Sequence, residues 1–277
     1  MSNDFYPFRV GSFECVALCD GNLEYTLESM VTNAPRSAVQ AYLQAYGLST
    51  EMIATPFTYP YLDTGKHKVL VDMGTGNLFP TTGRMLESMG KAGIAPESID
   101  SIFISHAHPD HVGGALNDEG QPIFTNATYF ISKDEWDFWF SEQAANLTGE
   151  GFITIARQKL APLREKIILL EKEKEILPGV DVLFAPGHTP GHMVVSFRSE
   201  GEQLLYTADT VLHPLHLERP DWFPVFDILP DLASVSKNHI FDLAATTKSL
   251  VLGQHFPPFP NLGYIVKKET GWAWQPI

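Results

Sequence analysis

The feature that most constrains this chain is a cluster of three histidines and a carboxylate directly after a short apolar segment. Ser105-His106-Ala107-His108-Pro109-Asp110-His111 follows Ile102-Phe103-Ile104, which has the composition of a buried strand. Imidazole nitrogens and carboxylate oxygens are ligands that zinc, manganese and iron select in proteins. A strand that ends in a tight turn can direct His106 and His108 at one metal, while Asp110 and His111 face a second. The cluster therefore predicts a metalloenzyme.

Three more candidate ligands follow apolar segments elsewhere in the chain. His188 lies in a turn rich in Gly and Pro after residues 182–184, Asp209 follows residues 204–208, and His255 follows residues 250–254. Rigid strands can hold such side chains at one edge of a sheet, while loops shape the pocket around them. We therefore expect these residues to meet the histidine cluster at one site.

The complete set of seven residues resembles the ligand set of the metallo-β-lactamase superfamily in its two-metal form. Residues 69–74 are similar to the early strand and Asp-x-Gly turn of that superfamily, and Gly113-Gly114 follows the histidine cluster as it does there. The resemblance implies a first metal held by His106, His108 and His188, a second held by Asp110, His111 and His255, and a bridge formed by Asp209. It implies two divalent ions, zinc first, although manganese, cobalt and iron suit the same ligands.

The fold expected from this resemblance is an α/β structure, an αββα sandwich of two mixed sheets with helices on the outer faces. Strand-rich stretches at 5–20 with 54–72, and again at 166–208, suit two sheets packed face to face. We expect one domain over residues 1–277, a length that can bury a large core. Apolar spacing predicts helices at 36–46, 81–89, 134–140 (with Ser132 as N-cap) and 231–247, and a closing hairpin from 263–266 and 272–274.

Charge and hydropathy exclude several classes of partner. The net charge of −14 disfavours nucleic acid, because phosphate binding needs clustered Lys and Arg. No segment approaches the roughly 18 consecutive apolar residues that a membrane span requires. The N-terminus has neither the basic segment nor the apolar stretch of a secretory signal, so we expect a cytoplasmic protein.

The predicted ligands also indicate a reaction type. A hydroxide that bridges two metals, its water pKa lowered to roughly 7, can attack an ester-like carbonyl carbon or a phosphorus without a separate Ser or Cys nucleophile. Asp110 and Asp209 are the catalytic candidates, since both hold metal and Asp110 can also relay a proton to the leaving group. We therefore expect hydrolysis.

Four stretches resemble the branch of the superfamily that contains methyl parathion hydrolase, lactonases and arylesterases: residues 82–86, 99–106, 134–139 and 254–260. This implies a small, apolar lactone or aryl ester as substrate, with phosphotriesters as side substrates. A glyoxalase II-type thioesterase, a β-lactamase-like side activity and a scaffold without chemistry remain alternatives. True β-lactamases of this superfamily usually carry Cys or Ser at the position of Asp209, which argues against antibiotic hydrolysis as the main activity.

Aromatic and histidine side chains near the predicted strand ends are candidates for substrate binding. They are Phe79, Trp136, Trp139, His213, His216, Trp222 and Phe223. Large apolar pockets of this kind are typical of small-molecule sites. The aromatic residues can equally pack the core or form a homodimer interface, and the two histidines can cap a loop.

Overall fold

Two seven-stranded sheets organise the chain in the computed structural model, which describes residues 4–277. Residues 1–3 lie outside the described residues. They begin the N-terminal segment in which we expected no secretory signal. Strands of the first sheet lie side by side in chain order: β1 (Phe5–Val10), β2 (Phe13–Thr26), β3 (Met52–Asp63), β4 (Lys68–Val71), β5 (Ser101–Ile104), β6 (Thr128–Ser132) and β7 (Ile167–Leu170). The sheet is mixed, because β1 to β4 pair antiparallel and β4 to β7 pair parallel.

The second sheet is formed by the C-terminal part of the chain. Its strands are β8 (Lys174–Leu177), β9 (Val180–Phe184), β10 (Met193–Ser199), β11 (Glu202–Tyr206), β12 (Leu250–Leu252), β13 (Leu262–Lys267) and β14 (Trp272–Pro276). All neighbours pair antiparallel except β11 and β12, which are parallel. The hairpin of β13 and β14 confirms the predicted closing hairpin.

Central strands are buried on both faces, and this explains their apolar composition. In β5, Ile102 and Ile104 pack into a cluster on the outer side of the first sheet, whereas Phe103 points into the layer between the sheets. In β10, Val195 enters that same middle layer and Val194 packs on the outer side of the second sheet. Successive side chains of a strand point to opposite faces, so a strand covered on both sides needs apolar residues throughout.

The helices cover the outer faces of the two sheets. They are α1 (Leu27–Met30), α2 (Arg36–Ala45), α3 (Met85–Lys91), α4 (Pro109–Val112), α5 (Lys133–Phe140), α6 (Ala144–Leu147), α7 (Glu150–Leu160), α8 (Leu215–Glu218) and α9 (Pro230–Thr247). Buried residues of α3, α5 and α7 share one cluster with the first sheet, and those of α9 share another with the second sheet. The predicted αββα sandwich of two mixed sheets is confirmed.

The helix predicted at 81–89 was wrong at both ends. Gly83 has φ +84, a left-handed conformation that no helix accepts, and the Thr81 hydroxyl donates to the Asn22 carbonyl instead. Helix α3 therefore starts at Met85 and ends at Lys91, two residues beyond the predicted end. Ser132 occupies the N-cap position of α5, but its side chain makes no capping hydrogen bond.

Among residues 4–277, no helix combines the length and the apolar character needed to cross a membrane.

Candidate metal centre

The seven predicted ligands all follow the C-terminal ends of strands. His106 and His108 come after β5, and the short helix α4 then carries Asp110 and His111. The other three follow strands of the second sheet: His188 after β9, Asp209 after β11 and His255 after β12. These strand ends meet at one edge of the sandwich, so the structure brings all seven side chains together.

Four of these side chains form a first ligand group, made of His106, His108, His188 and Asp209. Nδ1 of His108 lies 3.1 Å from Nε2 of His106 and 2.9 Å from Nε2 of His188. Oδ2 of Asp209 lies 3.3 Å from the same nitrogen of His188 and 3.8 Å from that of His106. Three imidazole nitrogens and one carboxylate oxygen thus converge on one point.

A second ligand group consists of Asp110, His111, His255 and again Asp209. Nε2 of His111 lies 3.4 Å from both Oδ2 of Asp110 and Oδ1 of Asp209. Nε2 of His255 lies 3.5 Å from the first of these oxygens and 3.2 Å from the second. Asp209 therefore offers Oδ2 to the first group and Oδ1 to the second, which is the arrangement of a bridging carboxylate.

Two unpartnered atoms of the centre indicate whether its side chains suit bound cations. Nε2 of His111 and Oδ1 of Asp209 are buried and have no hydrogen-bond partner. A buried polar atom without a partner is costly, and bound metal would remove that cost. The donor set, nitrogen and oxygen only, suits zinc and the related divalent ions. The residues therefore fit two divalent metals.

Burial and mutual charge shift the pKa values of the metal-free centre in opposite directions. Burial and the nearby His188 lower the pKa of His108 to about 3, and burial lowers the pKa of His106 as well. Burial also opposes the charged form of His188 and His255, but nearby carboxylates outweigh it and raise both pKa values to about 9. These carboxylates are Asp209 and Asp227 for His188, and Asp209 and Asp110 for His255. The centre is a tightly coupled set of charges in which Asp209 lies at the middle.

Each ligand histidine that uses Nε2 has a partner for its other ring nitrogen. Nδ1 of His111 lies 2.7 Å from Oδ2 of Asp72, and Nδ1 of His188 lies 3.0 Å from Oδ1 of Asp227. Nδ1 of His255 lies 3.2 Å from the carbonyl of Pro56. For His106 the partner is the hydroxyl of the preceding serine, at 3.1 Å. Such contacts fix the ring orientation and leave the opposite nitrogen free to bind metal.

Glu135 connects the two loops that carry the three histidines of the first ligand group, a role that the sequence did not reveal. Its Oε1 accepts from the Ala107 backbone (2.9 Å) and the Trp139 indole (2.6 Å). Its Oε2 accepts from the Thr189 hydroxyl (2.6 Å) and the Gly191 backbone (3.0 Å). The carboxylate is fully buried, so four donors stabilise it in place of water. In the sequence, Glu135 was marked only by its place in the segment 134–139, which resembles the lactonase-containing branch of the superfamily.

A cavity of about 140 Å³ adjoins both ligand groups. Five predicted ligands border it, and the rest of its wall is mostly apolar: Leu23, Met30, Phe79, Phe152, Leu212 and Phe226. Tyr25, near the end of β2, and Thr55, near the start of the adjacent β3, add two hydroxyl groups. The cavity can therefore hold a small apolar molecule against the candidate metals.

Of the side chains predicted to bind substrate, Phe79 lies in the cavity wall. The indole of Trp139 packs in the core edge-on to the ring of His108, at 5.7 Å, so it supports a ligand from behind. Trp136 is half-buried and stacks on Phe140 at the surface of α5. Both tryptophans lie on a helix whose apolar spacing is equally typical of core packing.

Four further candidates lie in or beside the segment that follows Asp209. The rings of His213 and His216 are buried and contact backbone groups. Nδ1 of His213 accepts from the Leu215 amide, and Nε2 of His216 lies 3.0 Å from the Met30 carbonyl. Trp222 packs with Met30 and Leu212 in a cluster that backs the cavity. Phe223 is half-buried, with the Lys237 ammonium 5.7 Å from its ring. In the described part of the chain these four do not border the cavity.

A family model for the metallo-beta-lactamase superfamily matches residues 59–255, which include all seven candidate ligands. The chain belongs to the metallo-β-lactamase superfamily. This confirms the resemblance that the histidine cluster and the three later ligands indicated.

Relatives within the superfamily include proteins named as lactonases. The N-acyl homoserine lactonase AiiA of Bacillus thuringiensis subsp. kurstaki is 28% identical over 174 residues. That match spans 62% of this chain and 62% of the length of the relative.

Two solved structures resemble the chain over nearly its full length. AidC, described as a dizinc quorum-quenching lactonase in complex with a homoserine product, has a TM-score of 0.94 at 29% identity and covers 99% of this chain and 97% of its own. The hydrolase AbOPH has a TM-score of 0.92 at 27% identity, covering 100% and 98%.

Proposed function

We propose that this protein is a dinuclear metal-dependent hydrolase that opens lactones with an apolar substituent. The observation that carries the proposal is the two-sided use of Asp209, which places two complete ligand groups beside one apolar cavity. The similarity to a dizinc lactonase along the whole chain supports the lactone class and zinc as the metal.

In this proposal His106, His108, His188 and Asp209 hold one metal, and Asp110, His111, His255 and Asp209 hold the other. When bound, the metals supply Lewis-acid polarisation of the carbonyl and activation of a water. In the net reaction the water oxygen bonds to the lactone carbonyl carbon, the ring C–O bond breaks, and a water proton passes to the leaving oxygen. Asp110 borders the cavity, and we assign its carboxylate the transfer of that proton.

Asp110 is held in place from two directions. The Tyr59 hydroxyl donates to its backbone carbonyl at 2.6 Å, and the Gln254 amide donates to its Oδ2 at 3.3 Å. Both neighbours are buried, and the Tyr206 hydroxyl in turn donates to the Gln254 amide oxygen at 2.6 Å. A carboxylate fixed in this way keeps one orientation toward substrate, which a proton transfer requires.

Tyr25 is the residue that we assign to the substrate oxygen. Its ring packs edge-on against Phe226 at 5.5 Å, and within residues 4–277 its hydroxyl has no hydrogen-bond partner. Burial, with the nearby Asp110 and Asp209 charges, raises its pKa far above the ordinary value, so the hydroxyl stays a donor at any assay pH. The other wall hydroxyl, that of Thr55, donates to the Leu23 carbonyl. Tyr25 is therefore free to donate to the oxygen on which negative charge develops.

The reaction class is tested on a panel of substrates. Zinc-loaded protein is assayed with acyl homoserine lactones, simple lactones, aryl esters, phosphotriesters and glutathione thioesters. We expect the highest kcat/KM on lactones, above about 10⁴ M⁻¹s⁻¹, and weaker turnover of aryl esters and phosphotriesters as side substrates. A preference for the thioester, or rates near background on every lactone with both metals bound, would overturn the proposal.

The role of Tyr25 is tested with Tyr25→Phe. Because only the hydroxyl is lost, we expect kcat on the best lactone to fall roughly 100- to 1,000-fold with little change in KM, as for removal of one neutral oxyanion donor. Tyr264→Phe, on the exposed face of β13, is the matched control and should leave both constants unchanged. Wild-type kcat in Tyr25→Phe would exclude the assigned contact.

A further inference from the structure

A buried ion pair lies directly behind the first ligand group. Lys237, on α9, has a side chain only 2% exposed, and its ammonium donates to Oδ2 of Asp227 at 2.7 Å. The other carboxylate oxygen of Asp227 lies 3.0 Å from Nδ1 of His188, whose Nε2 belongs to the first ligand group. Buried lysines are uncommon because the ammonium loses its hydration, so an ion pair at this place calls for a reason.

We propose that Lys237 is a positioning residue for the first metal and acts on His188 through Asp227. The carboxylate is held at both oxygens, one by the ammonium and one by the imidazole, so it cannot rotate. With Asp227 fixed and accepting from Nδ1–H of His188, the Nε2 lone pair of that ring faces the other three ligands. The inference rests on the proposed function only in requiring that the centre binds metal.

Backbone hydrogen bonds and close packing join the loop of His188 to the start of α9, next to this ion pair. The amides of Ile228 and Leu229 donate to the carbonyls of His188 (3.0 Å) and Gly187 (2.8 Å). Gly187, with φ +138, lies so close to α9 that an added Cβ would be 2.1 Å from the Ala233 nitrogen. The loop of His188 and the start of α9 therefore form one unit. What Lys237 and Asp227 determine is the orientation of the His188 side chain on that unit.

The other ligand histidines are positioned differently, which makes the inference specific. Asp72, the partner of His111, receives hydrogen bonds from the Ser105 backbone and hydroxyl and from the Tyr206 hydroxyl. The partner of His255 is a backbone carbonyl. Within residues 4–277, the ion pair of Lys237 and Asp227 reaches a ligand of the first group alone. Loss of Lys237 should therefore weaken one metal and spare the other.

The test uses Lys237→Met and a titration of the metal-free protein with Co²⁺, followed by its absorption bands. We expect one of the two binding steps to weaken roughly 10-fold, the size typical for loss of a contact behind a metal ligand, with the other step unchanged. The weakened step should be the one that disappears in His188→Ala and persists in His255→Ala. Lys267→Met, which removes a surface ammonium 2.7 Å from Asp242, is the matched control and should bind Co²⁺ normally.

Other outcomes are equally decisive. Unchanged binding in Lys237→Met, or equal weakening of both steps, would overturn the inference, since the second result indicates general loss of stability. If that variant does not fold, Asp227→Asn keeps the side-chain volume and must weaken the same single step. A wild-type protein that binds two metals but opens no lactone would refute the proposed substrate class and leave this inference standing. A wild-type protein that binds no metal would refute both.

Discussion

Replacing the buried carboxylate of Glu135 with an amide should destabilise the fold and loosen the first ligand group together. All four partners of this carboxylate are donors: the Ala107 and Gly191 backbone amides, the Trp139 indole and the Thr189 hydroxyl. In Glu135→Gln the new NH₂ group must face two of them. The Thr189 hydroxyl can turn and accept, but a backbone N–H cannot.

The size of the effect follows from these contacts. At least one hydrogen bond is lost outright, at roughly 1.5–3 kcal/mol for a bond to a charged acceptor, and three others change from charged to neutral acceptors, at about 1 kcal/mol each. Removing a buried charge offsets part of this loss, because burial opposes ionisation of Glu135 and raises its pKa. We expect the free energy of unfolding to fall by about 3 kcal/mol.

Urea unfolding of the metal-free protein at pH 7, followed by tryptophan fluorescence, measures this change. Glu142→Gln replaces an exposed glutamate with the same chemistry and should stay within about 0.5 kcal/mol of wild type. A loss below about 1 kcal/mol in Glu135→Gln would refute the reasoning, since the four hydrogen bonds would then contribute little. Because Ala107 lies between two first-group ligands and Gly191 lies in the loop of His188, the variant should also bind the first metal more weakly.

Two further predictions concern the ligands. Asp209→Ala should bind fewer than one metal per chain after dialysis and lose activity by more than about 10³-fold, because each of its oxygens serves one group; two retained metals, counted by elemental analysis, would contradict a bridging role. The pKa values of His188 and His255 are about 9 in the metal-free fold, against 6.5 in model compounds. Their charged forms therefore stabilise that fold fully below pH 6.5, and this stabilisation is lost as the pH rises through 9. Since metal binds only the neutral rings, the rise in Tm caused by zinc should grow between pH 6.5 and 9, and differential scanning fluorimetry that finds a constant rise would rule this out.

Local sequence was sufficient to locate the ligand residues, and the family resemblance that they carry was sufficient to predict the layered fold. Each ligand follows an apolar strand, and residue type and spacing carry that information within a few positions, as in the segment from Ile104 to His111. Strands β5 and β10 place apolar side chains on both faces, which agrees with sheets covered on two sides. The start of α3 was misjudged because apolar spacing outweighed the turn at Gly83.

Only the tertiary structure decided which residues surround the ligands. His188 contacts Asp227, which is 39 positions later in the sequence, and Tyr25 contacts Phe226, which is near the other end of the chain. At such sequence separations no periodic pattern relates two side chains. The same limit applies to Trp139, whose helical spacing fitted a pocket and a core equally until packing placed it behind His108. Metal ligands can be identified from residue type, which the sequence gives directly. The residues of a cavity wall or a buried ion pair are determined by how strands and helices pack in three dimensions.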